Sequence, residues 1–277
     1  MRSTTSGLLL MALSFSAGAV VIRHDVDDAR YRVPDTTLPA LVDLPTEGQG
    51  VLIAPRWVLT AAHAVTWQSG GVHTVTIHHV PRKVARLVLY PGYRPLPQPL
   101  IDEALKTGDA TRIIAFLAAS NDVALLELAE PVTDVTPLAL YRHGDELRKT
   151  VEIIGKGATG SGTHGQDGPH RTALRRAFNT IDGVQDRWFT YTFDRPPAAL
   201  PLEGVPGDGD SGGPVLIQTG GHAQVAGLVS WKRGKDNALL LHPGFYGQTN
   251  YNVRVSHYAH WIDGVMHGDA IKGDVAN

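Results

Sequence analysis

The chain has 277 residues, 43% of them hydrophobic and 19% charged, enough for one large domain or two of about 100 to 150 residues. Its 25 Lys and Arg are balanced by 27 Asp and Glu and no basic block occurs, which argues against a nucleic-acid partner. The absence of cysteine excludes disulfides, thiolate metal sites and lipid attachment through sulfur.

Residues 1–19 read as an export signal: Arg2 opens it, residues 8–15 are apolar, and Ala17-Gly18-Ala19 supplies small residues for cleavage. The run falls short of the roughly 20 residues a membrane span needs, so no stable membrane insertion is expected once the signal is removed. Together with the missing cysteines this predicts a secreted or periplasmic protein, exported in the bacterial manner. Asp25, Asp27 and Asp28 read as a solvated turn.

Thirty Gly and 18 Pro punctuate short Val, Ile and Leu runs, which favours an all-β chain. Strands are expected at 50–53, 57–60, 72–78 and 84–89, the last closed by Tyr90-Pro91-Gly92. Between 100 and 120 the spacing of Leu100, Ala104, Leu105, Ile113, Ile114, Phe116 and Leu117 turns helical, with Gly108 splitting it, which predicts a helical insertion. A strand over 123–128 follows, and the less regular 131–145 is expected to join two halves, divided as 20–144 and 145–277. The second half begins with a strand at 151–154. The glycine-rich stretch 155–162 that follows, extended to His170, predicts an exposed, adaptable turn. Further strands are expected at 188–193, 214–217, 224–231 and 244–253, after which Ser256 is placed to cap a helix running to about 266.

Three segments carry chemistry. In Gly209-Asp210-Ser211-Gly212-Gly213-Pro214 the glycines clear the approach of a carbonyl to the Ser211 hydroxyl, and the N–H groups of Gly209 and Ser211 could converge on an oxyanion. In Trp57-Val58-Leu59-Thr60-Ala61-Ala62-His63 small neighbours leave room for an imidazole, whose ordinary pKa of about 6.5 suits a base at neutral pH. In Asn121-Asp122-Val123-Ala124-Leu125-Leu126 a carboxylate stands at the mouth of an apolar strand, where its charge requires a partner; His63 is the natural one.

The order His63, Asp122, Ser211 in these surroundings resembles the trypsin and chymotrypsin family of serine proteases. The likeness extends to Val225-Ala226-Gly227-Leu228-Val229-Ser230-Trp231, similar to the strand along bound substrate, and to His242-Pro243-Gly244-Phe245-Tyr246, similar to the strand behind the specificity pocket. It ends on 251–262, which resembles the family's terminal strand and helix. The resemblance implies two six-stranded antiparallel β-barrels with a C-terminal helix, the first contributing His63 and Asp122 and the second Ser211. It further implies a serine endopeptidase acting through an acyl-enzyme on protein or peptide substrates, as a monomer and without a cofactor. Ser230 would support Asp122, and Val205, Trp231, Lys232 and Gly244 would contact substrate. Asp210 stands where many relatives receive a newly made N-terminal amine, which cleavage after Ala19 would supply at Val20. The alternative class is an inactive relative that binds proteins; an esterase on the same site is a third reading.

Several positions depart from the family's pattern. Gly48 and Ala64 replace a disulfide beside the histidine. Arg23-His24 replaces the glycine pair expected after the new N-terminus. Val205 replaces the acidic pocket floor of enzymes that cut after Lys or Arg, and Lys232 stands where glycine is usual. These changes favour a small or medium apolar residue before the scissile bond, with Lys232 either narrowing the pocket or attracting an acidic side chain. The longer loop before Asp122 predicts restricted access. His73, His78 and His79, with His164 and His170, are not read as a metal site: strand alternation would place His78 and His79 on opposite faces, and no helical His pair flanks a Glu.

Overall fold

The computed structural model describes residues 20–67, 70–171, 173–237 and 242–268; the export-signal reading of 1–19 lies outside them. β1 (Val20–Ile22) comes first in the chain but pairs with the second half. A closed barrel follows, built from β2 (Leu41–Asp43), β3 (Gln49–Ala54), β4 (Trp57–Thr60), β5 (Thr74–Ile77), β6 (Val80–Leu89) and β7 (Ala124–Leu128) in the order β2-β3-β4-β7-β6-β5. β4 and most of β7 are buried because they lie between the barrel core and the rest of the molecule, which explains their near-continuous apolar sequence. β6 is mostly solvated and carries Arg82, Lys83 and Arg86. α1 (Ala62–Thr66) leaves the end of β4, while α2 (Gln98–Thr107) and α3 (Thr111–Ala118) occupy the stretch between β6 and β7. Gly108 ends α2 at φ 74, a conformation that costs glycine little.

The second half contains β8 (Ala139–Leu140), β9 (Thr150–Gly155), β10 (Thr159–Ser161), β11 (Gly165–Gln166), β12 (Arg175–Thr180), β13 (Gly183–Gln185), β14 (Trp188–Thr192), β15 (Gly204–Val205), β16 (Pro214–Thr219), β17 (His222–Arg233) and β18 (Thr249–Arg254). A curled sheet runs β12-β9-β16-β17-β18-β14-β13, with β8 alongside β17. The mostly-β, two-part architecture agrees with the sequence, but the second unit is a curled half-barrel rather than a closed one. The buried Asn179 of β12 donates through Nδ2 to the Thr192 carbonyl of β14 at 3.0 Å, so a side chain links strands that have no ladder between them. A smaller sheet, β11-β10-β1-β15, lies beside it. α4 (Val255–His267) returns to the first half, where the Tyr258 hydroxyl donates to Asn121 Oδ1 at 2.9 Å and Trp261 lies 5.1 Å from the Tyr90 ring.

Five local expectations change, the first being the strand expected at 244–253, which begins only at Thr249 and is preceded by a turn at 246–247. His78 and His79 are not on a strand: with φ of 46° and 65° they form the two-residue turn between Ile77 and Val80, a turn whose twist requires positive φ at both places. The glycine-rich segment is not simply an exposed turn but contains β10 and β11, which find partners in β1 and each other. Asp28 is no solvated turn residue, since it holds the fully buried Arg175 by bonds of 2.6 and 2.7 Å to its Nε and Nη2. Ser256 does not cap α4, which begins one residue earlier with Arg254 at the cap; its hydroxyl instead donates to the buried Glu146 at 2.5 Å.

Candidate active site

His63 sits in α1 immediately past β4, between the buried Ala62 and Ala64. Asp122 directly precedes the β7 segment and is 5% exposed. Its Oδ1 accepts the His63 backbone N–H at 2.7 Å and its Oδ2 lies 2.6 Å from His63 Nδ1, so one carboxylate fixes both the backbone and the ring of the same residue. Ser230 of β17 donates its hydroxyl to Oδ2 at 2.5 Å. Burial by itself would push the Asp122 carboxyl up, but the His63 charge and these hydrogen bonds outweigh it and hold the group below its usual range. Burial likewise presses the His63 imidazole down; Asp122 more than reverses this, and the net shift is upward despite opposition from the Lys232 charge.

Ser211 lies in the turn before β16, partly exposed. Its carbonyl accepts the Gln49 N–H at 2.8 Å, and a Cβ on Gly48 would sit 3.2 Å from that carbonyl and 3.4 Å from Ala64 Cβ. Gly212, at φ 77, presses so closely on the end of β4 that a Cβ would collide with Thr60 Oγ1 and stand 2.9 Å from Ala61 N. The Gly212 N–H donates to Val229, the residue before Ser230, at 2.8 Å. The serine turn is therefore packed against residues on both sides of His63 and tied to the strand that supports Asp122. Gly209 takes φ 93, and a Cβ there would meet the His170 ring at 3.0 Å.

Asp210 points inward. Its Oδ1 accepts the Gly157 N–H at 2.6 Å and its Oδ2 the Gly207 N–H at 3.0 Å. Burial dominates these contacts and pushes its carboxyl up to about 6. Gln49 Oε1, a buried acceptor with no partner among the described residues, lies 3.0 Å from where a Gly155 Cβ would be, a place that also collides with Asp210 Oδ1. Two acceptors thus converge at Gly155, the end of β9, four residues before Thr159 of β10, which pairs with Val20.

Val205 is fully buried in β15, opposite Val21. Gly244, at φ 100, would place a Cβ 3.2 Å from Val21 Cγ1 and 2.8 Å from Gln166 N, so Val21 neighbours both positions. Trp231 is 9% exposed, stacked on Tyr251 at 3.7 Å and meeting Trp188 edge-on. Lys232 reaches Asp208 with 2.8 Å between Nζ and Oδ1. Sequence reasoning missed Asp208, Gln166 and Gln49. Asp208 had one faint signal, a charge three residues before Ser211; the other two had none.

Taken together, the fold and this site define a protein of two β units with a histidine–carboxylate pair and a glycine-flanked serine turn packed against the residues on either side of that histidine. A family model described as Trypsin matches residues 30–262, and the chain belongs to that family. It is 30% identical over 241 residues to vitamin K-dependent protein C of Mus musculus, covering 77% of this chain and 45% of that protein. To Trypsin-1 of Astacus astacus it is 30% identical over 142 residues, covering 48% and 57%. To the trypsin of Phaedon cochleariae it is 28% identical over 232 residues, 77% of this chain and 76% of that one. The chain spans about half the length of the curated relatives it matches first. Among solved structures, neuropsin, described as a serine protease expressed in the limbic system of mouse brain, superimposes with a TM-score of 0.63 at 17% identity, over 85% of this chain and 98% of that one. No helix among the described residues is long and apolar enough to cross a membrane.

Proposed function

We propose that the protein is an active serine endopeptidase, exported in the bacterial manner, that cleaves peptide bonds through an acyl-enzyme. The observation that carries this reading is the His63–Asp122 contact at 2.6 Å with Ser230 as second donor, set against the glycine-flanked Ser211 turn. A binding module has no physical need for a base, its orienting acid and an unobstructed hydroxyl in one cleft.

With Nδ1–H committed to Asp122, the lone pair of His63 is on Nε2. The Ser211 hydroxyl attacks the scissile carbonyl as its proton passes to Nε2, and the imidazolium so formed is stabilised by Asp122. The Gly209 and Ser211 N–H groups receive the negative oxygen. Collapse expels the amine, which takes the proton from Nε2 and leaves Ser211 acylated. Water then attacks the ester by the same route in reverse and releases the acid and the free hydroxyl.

Asp210 is the proposed partner of an N-terminal amine at Val20. Burial of its carboxyl and the unpartnered Gln49 Oε1 support a cation seat there. The substrate is a protein or peptide, met by a monomer without nucleic acid or cofactor, with Val205, Trp231, Lys232 and Gly244 around its side chain. Labelling by a fluorophosphonate, with the site mapped by mass spectrometry, tests the reading. Stoichiometric modification of Ser211, lost in Ser211→Ala, is expected together with peptide cleavage; an unlabelled wild type that cuts no peptide would leave only the binding role, and ester turnover alone would leave the esterase.

A further inference from the structure

Lys232 follows directly on Ser230 and Trp231 in β17, so its stem starts one residue beyond the strand segment that supports Asp122. Its ammonium contacts Asp208 Oδ1 at 2.8 Å. Asp208 lies three residues before Ser211 and is held from a second side: its N–H donates to Gln166 Oε1 at 3.0 Å, and Gln166 Nε2 donates back to Oδ2. Gln166 N in turn donates to the Pro243 carbonyl at 2.9 Å, next to Gly244. β17, the serine turn, the β10–β11 hairpin and the 243–244 segment are therefore joined in one polar chain.

The two partners in the ion pair are unequally anchored. Asp208 is gripped by both ends of the Gln166 amide and keeps its place if the lysine leaves. Lys232 is a point charge on a flexible four-carbon stem, so it is the half that can swing. Its charge also reaches the chemistry, opposing the upward shift of His63 and favouring the ionised form of Asp210. A cation whose charge is felt both at the base and at Asp210 beside Ser211 stands where it can meet a substrate side chain close to the scissile bond.

We propose that Lys232 selects substrates with a carboxylate side chain on the residue that supplies the scissile carbonyl, and that Asp208 holds the lysine ammonium in the free enzyme until that carboxylate takes it over. This rests on the endopeptidase reading and replaces the apolar preference expected from Val205 alone. The carboxylate of a glutamate would take over the Lys232 ammonium from Asp208. Asp208, still held by Gln166, is then a built-in competitor from which an uncharged side chain cannot draw the lysine away.

The test uses two peptides identical except for Glu or Gln before the cut, and the purified protein, K232Q and D208N, each checked for Ser211 labelling. In the wild type kcat/KM is expected to favour Glu by about tenfold or more, the scale of one well-placed polar contact in a binding site. K232Q should bring the ratio to about one or below, and D208N should raise it above the wild-type value, chiefly by lowering KM for the Glu peptide. A wild-type ratio of one or less, or a ratio that K232Q leaves in place, overturns the proposal while labelled Ser211 and cleavage of the Gln peptide keep the protease reading. If Ser211 is not labelled and neither peptide is cut, both fall.

Discussion

Asp122 accepts hydrogen bonds from the His63 amide and the Ser230 hydroxyl and pairs with the His63 ring, and each contact favours its ionised form. The ring gains in turn: its raised pKa means protonation persists to higher pH than for an ordinary imidazole. In the proposed mechanism the neutral ring is the base, so the acid limb of kcat/KM is expected above the usual value of about 6.5. Asp122→Asn removes the charge that sustains the shift and presents an amide N–H where an acceptor was. The limb should therefore move to lower pH, and kcat should fall by about four orders of magnitude as the wrong tautomer is held. Lys232→Gln acts in the opposite sense, since loss of a cation that opposes protonation should move the limb upward. Steady-state kinetics from pH 5 to 9 on the three proteins would read both signs, and a limb that stays put in Asp122→Asn would contradict the assigned base.

Among elements, the serine turn depends on close approach rather than on covalent staples. Gly212→Ala would drive a Cβ into Thr60 Oγ1 and within 2.5 Å of the Gln49 carbonyl at a left-handed φ. Backbone strain and displaced packing together should cost about 3 kcal/mol, seen as a lower denaturation midpoint, and Ser211 labelling should slow sharply. The neighbouring contact can be strengthened instead. A Cβ on Gly48 would lie 3.4 Å from Ala64 Cβ, just below the usual span of a disulfide. Closing a loop of this size contributes about 3 kcal/mol, and the left-handed φ of 91° at position 48 takes back about 1 to 2. That strain is present in both redox forms of the double variant Gly48→Cys with Ala64→Cys, so reducing the bond should lower Tm by the full disulfide contribution, about 6 to 12 °C; no difference between oxidised and reduced protein would show that the turn cannot accommodate it.

Across the whole molecule, what the sequence reveals follows the range of the interaction. Trp57 to His63, Asn121 to Leu128 and Gly209 to Pro214 each carry their chemistry in a few consecutive residues, so the pairing of His63 with Asp122 could be read before any coordinates. The Lys232–Asp208–Gln166 chain, the Asn179 link and the Asp28–Arg175 pair join residues distant in sequence through polar types that occur on any surface, and nothing local marks them. The same holds for Gln49, whose orphaned Oε1 becomes meaningful only beside Asp210. In the proposed reading, that seat would couple an N-terminus at Val20 to the serine turn. With a folded-state pKa of about 6 against about 3.8 unfolded, Asp210 binds its proton more tightly in the folded form. Its contribution is fully present below about pH 4, declines as pH rises to about 6, and is absent above, a change of about 3 kcal/mol over that window. An amine at Val20, held by β1 beside β10, would reverse the sign by favouring the carboxylate. The chain that retains residues 1–19 should thus lose stability from pH 4 to 6, whereas the chain beginning at Val20 should keep or gain it, and Asp210→Asn should flatten the dependence in both. Urea midpoints across that range on the two forms measure this directly; parallel curves would mean that the amine does not reach Asp210.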